Sequence, residues 1–129
     1  MERVVSGMTY EPSKDWTQDW KIAEEHILDA LDNSATEHNV FDVMSALWNG
    51  TAYLWVGERA SAVTLLHDET YTLWLAGGDL AEIEKMWPFA EKHAHRLDAK
   101  KVVVFGRKGW ARTFLRSHGF KHSKVILEK

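Results

Sequence analysis

Tyr71-Thr72-Leu73-Trp74-Leu75-Ala76-Gly77-Gly78-Asp79 and, after a helical stretch, Lys101-Val102-Val103-Val104-Phe105-Gly106-Arg107-Lys108-Gly109 decide the fold. Tyr71 to Ala76 is aromatic and β-branched enough to be a strand with at least one buried face. Gly77-Gly78 ends it. Asp79 opens a helix, and Glu82 three residues on completes an Asp form of the capping box. That helix runs to about Leu97 and turns Leu80, Ile83, Trp87, Ala90, Ala94 and Leu97 inward. Pro88 in its middle removes a backbone hydrogen bond and predicts a kink. Lys101–Phe105 is the second apolar strand. Strand, helix and strand in this order make a βαβ crossover with parallel strands. Its ligand side lies beyond the carboxyl ends of the strands, where both glycine turns fall. A glycine turn feeding a helix N-terminus offers backbone N–H groups to an anion, most often a phosphate. The second turn adds Arg107, Lys108 and Arg112.

Upstream, residues 1–14 have no clear period and read as a short strand around Arg3-Val4-Val5 or as a flexible lead. A helix from about Asp15 to Leu31 carries Trp16, Trp20, Ala23, Ile27 and Leu31 on one stripe. A second, Val40 to Trp48, turns Val40, Val43, Met44 and Leu47 inward and closes on Asn49-Gly50. The period then changes to that of strands. Ala52–Val56, a turn at Gly57-Glu58-Arg59-Ala60, Ser61–His67, a turn at Asp68-Glu69 and Tyr71–Ala76 form an antiparallel meander. Downstream of the second glycine turn a helix spans about Gly109 to His118, ended by Gly119, and Val125-Ile126-Leu127 makes a last strand. The fold class is therefore α/β (α+β): one mixed sheet, meander plus crossover, flanked by helices.

The 129 residues suffice for one domain, 1–129, with its own core. An apolar fraction of 45% and a charged fraction of 27% are those of an ordinary soluble protein. No apolar run approaches the roughly 20 residues that span a bilayer, and no signal peptide is legible, so a cytoplasmic protein is expected. The absence of cysteine excludes disulfides, thiolate metal sites and a cysteine nucleophile. The net charge of −3 hides an asymmetry. Residues 1–84 carry 4 Lys/Arg against 16 Asp/Glu, and residues 85–129 carry 12 against 3, giving −12 and +9. The acidic half repels a phosphate backbone, which disfavours duplex nucleic acid, and it suits a cationic partner.

The order helix, helix, three-strand meander, helix, strand, helix, strand resembles that of the GCN5-related N-acetyltransferase (GNAT) fold over nearly the whole chain. Lys108-Gly109-Trp110-Ala111-Arg112-Thr113-Phe114-Leu115-Arg116-Ser117-His118-Gly119-Phe120 is similar to the family's late segment, with Ala111, Gly119 and Phe120 at matching places. The Trp-Leu-Ala-Gly-Gly-Asp and Gly-Arg-Lys-Gly-Trp-Ala-Arg stretches resemble short GNAT-like proteins of bacteriophages. The resemblance implies an acyl-CoA-dependent N-acyltransferase, with acetyl-CoA or coenzyme A as cofactor. The acetyl group would pass directly to an amine on a small molecule or protein. It places the cofactor on Leu75, Ala76, Gly77, Gly78, Asp79, Leu80, Arg107, Lys108, Gly109, Trp110 and Arg112.

Three departures keep a second class open. The family's phosphate loop is shortened here to Ala76-Gly77-Gly78-Asp79-Leu80, its Asn place is Lys108, and the tyrosine that often protonates the leaving thiolate is Leu115. The alternative is a catalytically inactive GNAT-fold phage protein acting as a binding or structural/virion module. On either reading a homodimer is a candidate assembly, and the cytoplasm is the host's if the chain is phage-encoded.

Each conspicuous residue also has a plainer reading. Gly77 and Gly78 face a phosphate or merely turn a tight corner. Arg107, Lys108 and Arg112 hold phosphates or sit solvated at a helix start. Trp110 stacks on a ligand or packs in the core. Trp16 and Trp20 line an acceptor cleft or fill the core. The seven histidines form no ligand set, and His93 and His95, two apart on a helix, diverge. His67 is the histidine expected nearest the cleft, and Glu69 and Tyr71 are candidate acid or base groups with nothing to single them out.

Overall fold

The computed structural model describes residues 10–32, 39–105, 121–123 and 126–128. Within these, α1 spans Trp16–Asp32, α2 Val40–Trp48, β1 Ala52–Val56, β2 Ala60–His67, β3 Thr70–Gly78, α3 Leu80–Arg96, β4 Lys101–Phe105, β5 Lys121–Ser123 and β6 Ile126–Glu128. The strands lie in the order β1-β2-β3-β4-β6-β5 in one sheet. β1, β2 and β3 are antiparallel neighbours, and β3 and β4 pair in parallel from Thr70↔Lys101 to Leu73↔Val104. The expected βαβ unit is therefore present, with α3 between its strands. β6 pairs antiparallel with both β4 and β5. Lys121–Ser123 was not expected as a strand, and the last strand begins at Ile126 among the described residues. The possible strand at Arg3–Val5 and the helix at Gly109–His118 lie outside the described residues.

The hairpin turns follow their residues. Asp68 and Glu69 both have positive φ, 49° and 66°, which is the signature of the two-residue turn whose twist matches that of the flanking strands. Gly57 closes the first hairpin by donating its N–H to the Ala60 carbonyl at 2.8 Å. α2 starts with the reciprocal box that its sequence permits: Asn39 accepts from Phe41 and Asp42, and Asp42 accepts from the Asn39 N–H. α3 ends with Asp98 at φ 59° and with the Ala99 N–H on the Ala94 carbonyl, a left-handed termination that satisfies the last turn. Lys100 then donates to the Glu69 carbonyl and sets β4 alongside β3.

Helices cover both faces of the sheet. Trp20, Ala23, Ile27 and Ala30 of α1 and Val43 and Leu47 of α2 pack on Ala52, Leu54, Val63, Trp74 and Leu75. Trp16, Leu31, Val40 and Met44, expected inside, are only partly buried against that cluster. On the other face Ile83, Met86, Trp87, Ala90 and Ala94 of α3 pack on Trp55, Ala62, Tyr71, Leu73 and Ala76. Leu80 and Leu97 sit at its margin. α3 continues through Pro88 as a single helix. Two members of its buried face are polar, Glu82 and His93. Strand and helix periodicity does not expect either of them there.

Candidate functional site

The site is built at the carboxyl end of the parallel pair β3–β4. The last β3–β4 pair is Leu73↔Val104, yet β3 continues to Gly78. Among the described residues, its β4-facing edge has no ladder partner from Leu75 to Gly78. A register shift opposite Val63/Thr64 puts one more residue in β3 than in β2, since Val63 pairs with Leu75 and Thr64 with Leu73. A bulge of this kind bends its strand and increases its twist, here next to the last described β3–β4 pair.

The predicted residues fall around this edge unevenly. Leu75 is buried beneath α1 and α2, and Ala76 beneath α3. Gly77 is buried too, and a Cβ on it would run into the backbone of α1 at His26. Its missing side chain therefore seats a helix against the strand end. Gly78 turns the corner with φ 100°, close against the Arg59 carbonyl and Ala60, a conformation that suits glycine. Asp79 is exposed and Leu80 half-buried. Arg107, Lys108, Gly109, Trp110 and Arg112 lie outside the described residues.

The expected partnership of Asp79 and Glu82 is half right. Asp79 caps α3 as expected, its carboxylate accepting from the Ala81 N–H at 3.1 Å. Glu82 does not complete the box. Its carboxylate instead leaves the helix and accepts from the Arg59 N–H at 2.6 Å, the Glu58 N–H at 3.1 Å and the Tyr10 hydroxyl at 3.2 Å. The reason is room: Gly57 has no Cβ, and one placed there would stand 2.5 Å from the Glu82 carboxyl. Burial, followed by the nearby Glu82 charge, pushes the Tyr10 phenol up to about 12. The α3 turn is thus largely self-satisfied. The Asp79 N–H goes to the Arg59 carbonyl, and those of Glu82 and Ile83 go to the Asp79 carbonyl.

Sequence reasoning missed His26. It reaches this end of β3 from α1, with Nδ1 3.2 Å from the hydroxyl of buried Ser61, the β2 partner of Gly77. The signal was absent because a lone histidine on a half-exposed helix face has no distinctive spacing.

Other candidates lie elsewhere. His67, expected near the cleft, sits at the opposite end of the sheet, exposed and 3.2 Å from Asp68. β2 runs antiparallel to β3, so its last residue lies beside the start of β3. Glu69 is in the same turn, exposed and facing Lys100 at 3.4 Å. Tyr71 is fully buried below α3, its hydroxyl 2.9 Å from both Thr64 Oγ1 and His93 Nδ1. The Trp55 indole N–H donates to the same Thr64 oxygen at 2.9 Å. Burial raises the Tyr71 phenol and, with Arg96, lowers His93. This is a closed core network, away from the strand ends. Trp20 is buried in the core and, with the more exposed Trp16, also borders a groove between α1 and α2. Trp16 precedes His26 by ten residues, about 15 Å along the helix axis. Among the described residues no cluster of His, Asp or Glu is placed to hold a metal, and no helix is long and apolar enough to cross a membrane.

The architecture is that of the GNAT acetyltransferases. Among solved structures, a Bacillus subtilis acetyltransferase in complex with CoA superposes with a TM-score of 0.63 at 13% identity, covering 88% of this chain and 76% of that one. A Brucella melitensis GNAT family acetyltransferase in complex with acetyl-CoA gives 0.60 at 14% identity, covering 93% and 86%. The ribosomal-protein-S18-alanine N-acetyltransferase of Escherichia coli gives 0.63 at 10% identity, covering 93% and 91%. No family model and no curated protein matches the sequence. At these identities the likeness is one of fold.

Proposed function

We propose that the chain is an acyl-CoA-dependent N-acyltransferase that moves an acetyl group directly from acetyl-CoA to an amine. The observation that carries this reading is the edge of β3 from Leu75 to Gly78, which among the described residues has no ladder partner on its β4 side, at the carboxyl end of a parallel pair. A linear chain with amide groups, such as pantetheine, adds to such an edge as an extra strand through main-chain hydrogen bonds. Backbone N–H groups there would also stabilise charge on the thioester oxygen as the amine attacks. In this reading Leu75 to Leu80 hold the pantetheine and diphosphate, and Arg107, Lys108 and Arg112 meet the phosphates as cationic donors. Gly109 permits close approach, and Trp110 offers a stacking face. The amine nitrogen bonds to the carbonyl carbon, the C–S bond breaks, and the amine's proton passes by way of His26 or water to the departing thiolate. The acidic half of the chain fits an acceptor that is itself cationic. The crystallised complexes with CoA and acetyl-CoA support the same cofactor.

A second reading has its own support. Asp79 brings a carboxylate to the turn where the diphosphate would lie, and the N–H groups of Asp79, Ala81, Glu82 and Ile83 already have partners. This favours a GNAT-fold binding or structural module without catalysis, of the kind a bacteriophage could encode. Titration with acetyl-CoA, followed by thiol release with a panel of amines, separates the two. Saturable binding with thiol release supports the enzyme, and binding without release supports the module. No binding at millimolar acetyl-CoA overturns the cofactor assignment.

A further inference from the structure

Phe41 and Trp48 are 74% and 75% exposed, although both are large aromatics on the short helix α2. They are not scattered surface residues. With Trp16, Trp20 and Met44 they wall a groove of about 520 Å³ between α1 and α2, a size ordinary for a small-ligand site. Its walls are set at right angles: Trp16 stands 88° from Trp20 at 6.3 Å and 89° from Trp48 at 6.2 Å between ring centroids. Aromatic rings set at right angles around an open groove are the arrangement of an aromatic cage, in which ring faces meet a quaternary or methylated ammonium.

The balance of charge on the two helices agrees. α1 and α2 carry six acidic residues, of which Asp19 and Asp42 are next in sequence to the groove residues Trp20 and Phe41, and Lys21 is their only Lys or Arg. Thr17, which itself lines the groove, donates its hydroxyl to the Asp15 carboxylate at 2.6 Å, and this bond holds the Asp15 carboxyl below its usual range. An anion is thereby fixed near the groove, while among the described residues no charged side chain lines its interior. A primary ammonium would lose hydration there without a full set of acceptors. A quaternary ammonium has no hydrogen bonds to replace.

We propose that this groove is a binding site for a quaternary or methylated alkylammonium group. It lies at the N-terminal end of α1, separate from the β3 edge, and does not depend on the acyltransferase reading. The test is titration of the intact protein with choline, with its neutral isostere 3,3-dimethylbutan-1-ol and with ethanolamine, followed by tryptophan fluorescence and by amide shifts on α1 and α2. Choline should bind at least tenfold more tightly than either comparator. Trp48→Ala, which removes an exposed ring, should abolish that preference, whereas Ile22→Ala, exposed on α1 outside the groove, should leave it intact. Equal affinity for choline and the neutral isostere, choline binding unaffected by Trp48→Ala, or no saturable binding at tens of millimolar would each overturn the proposal.

Discussion

Replacing Glu82 tests the packing that shapes the start of α3. Its carboxylate accepts from the Arg59 N–H, the Glu58 N–H and the Tyr10 hydroxyl, and its residue is only 9% exposed. Hydrogen bonds to a charged group contribute about 1.5–3 kcal/mol each. The sum is an upper limit, because Glu58 and Arg59 lie in an exposed turn where water can replace the lost acceptor. A loss of about 3 kcal/mol is expected for Glu82→Ala. Gly57→Ala alone should cost about 2 kcal/mol, because the new Cβ would displace the same carboxylate. In the Glu82→Ala background that clash is gone, so Gly57→Ala should be close to neutral. The coupling between the two sites is then about 2 kcal/mol, well above the few tenths seen for independent positions. Urea unfolding of wild type, both single variants and the double variant measures it. Additive costs would refute the claim that Gly57 is there to admit Glu82.

Three further outcomes follow from other parts of the molecule. Burial, with Arg96, lowers the His93 pKa in the folded core, so the unfolded chain takes up that proton first as pH falls below about 6.5, and stability should decline through that range. His93→Phe should flatten this part of a stability–pH curve, and an unchanged slope would contradict it. Gly77→Ala should cost roughly 1–3 kcal/mol, because its Cβ meets the α1 backbone rather than a flexible side chain; a thermal melt within error of wild type would contradict the packing account. Asp79→Asn keeps the cap on Ala81 and removes a charge, so stability should barely move. If a diphosphate binds at that turn, relief of about 3 kcal/mol at 5 Å in an effective dielectric of 20, reduced by solvent screening, should tighten coenzyme A severalfold in calorimetry. Weaker binding by the variant would contradict that placement.

The βαβ unit was legible because Tyr71–Ala76 and Val102–Phe105 are too apolar and β-branched to be anything but buried strands, and the Gly77-Gly78-Asp79 corner marks the strand–helix boundary. The meander was legible from its turns. What escaped reading shares one cause: it depends on which residues meet across the sheet. Glu82 looks like half of a capping box, and only the docked hairpin with Gly57 offers it better donors. His93 looks like a helix-surface histidine until Tyr71 and Thr64 are brought beneath it. Trp16 fits the apolar stripe of α1, yet it lies at the sheet margin, where α2 leaves it half-buried in a groove. The extra residue of β3 is invisible in a single strand, because a bulge is a property of two.

The central claim is that the β3 edge beyond β4 receives the cofactor, and amide spectroscopy tests it directly. Acetyl-CoA added to isotopically labelled protein should shift the backbone amides of Leu75 to Gly78 most strongly and slow hydrogen exchange at those facing away from β2, as expected for a newly paired strand edge. The Thr70–Leu73 amides, already in the ladder with β4, should change little. Saturable binding that leaves Leu75–Gly78 unperturbed, or shifts confined to the α1–α2 groove, would contradict the claim.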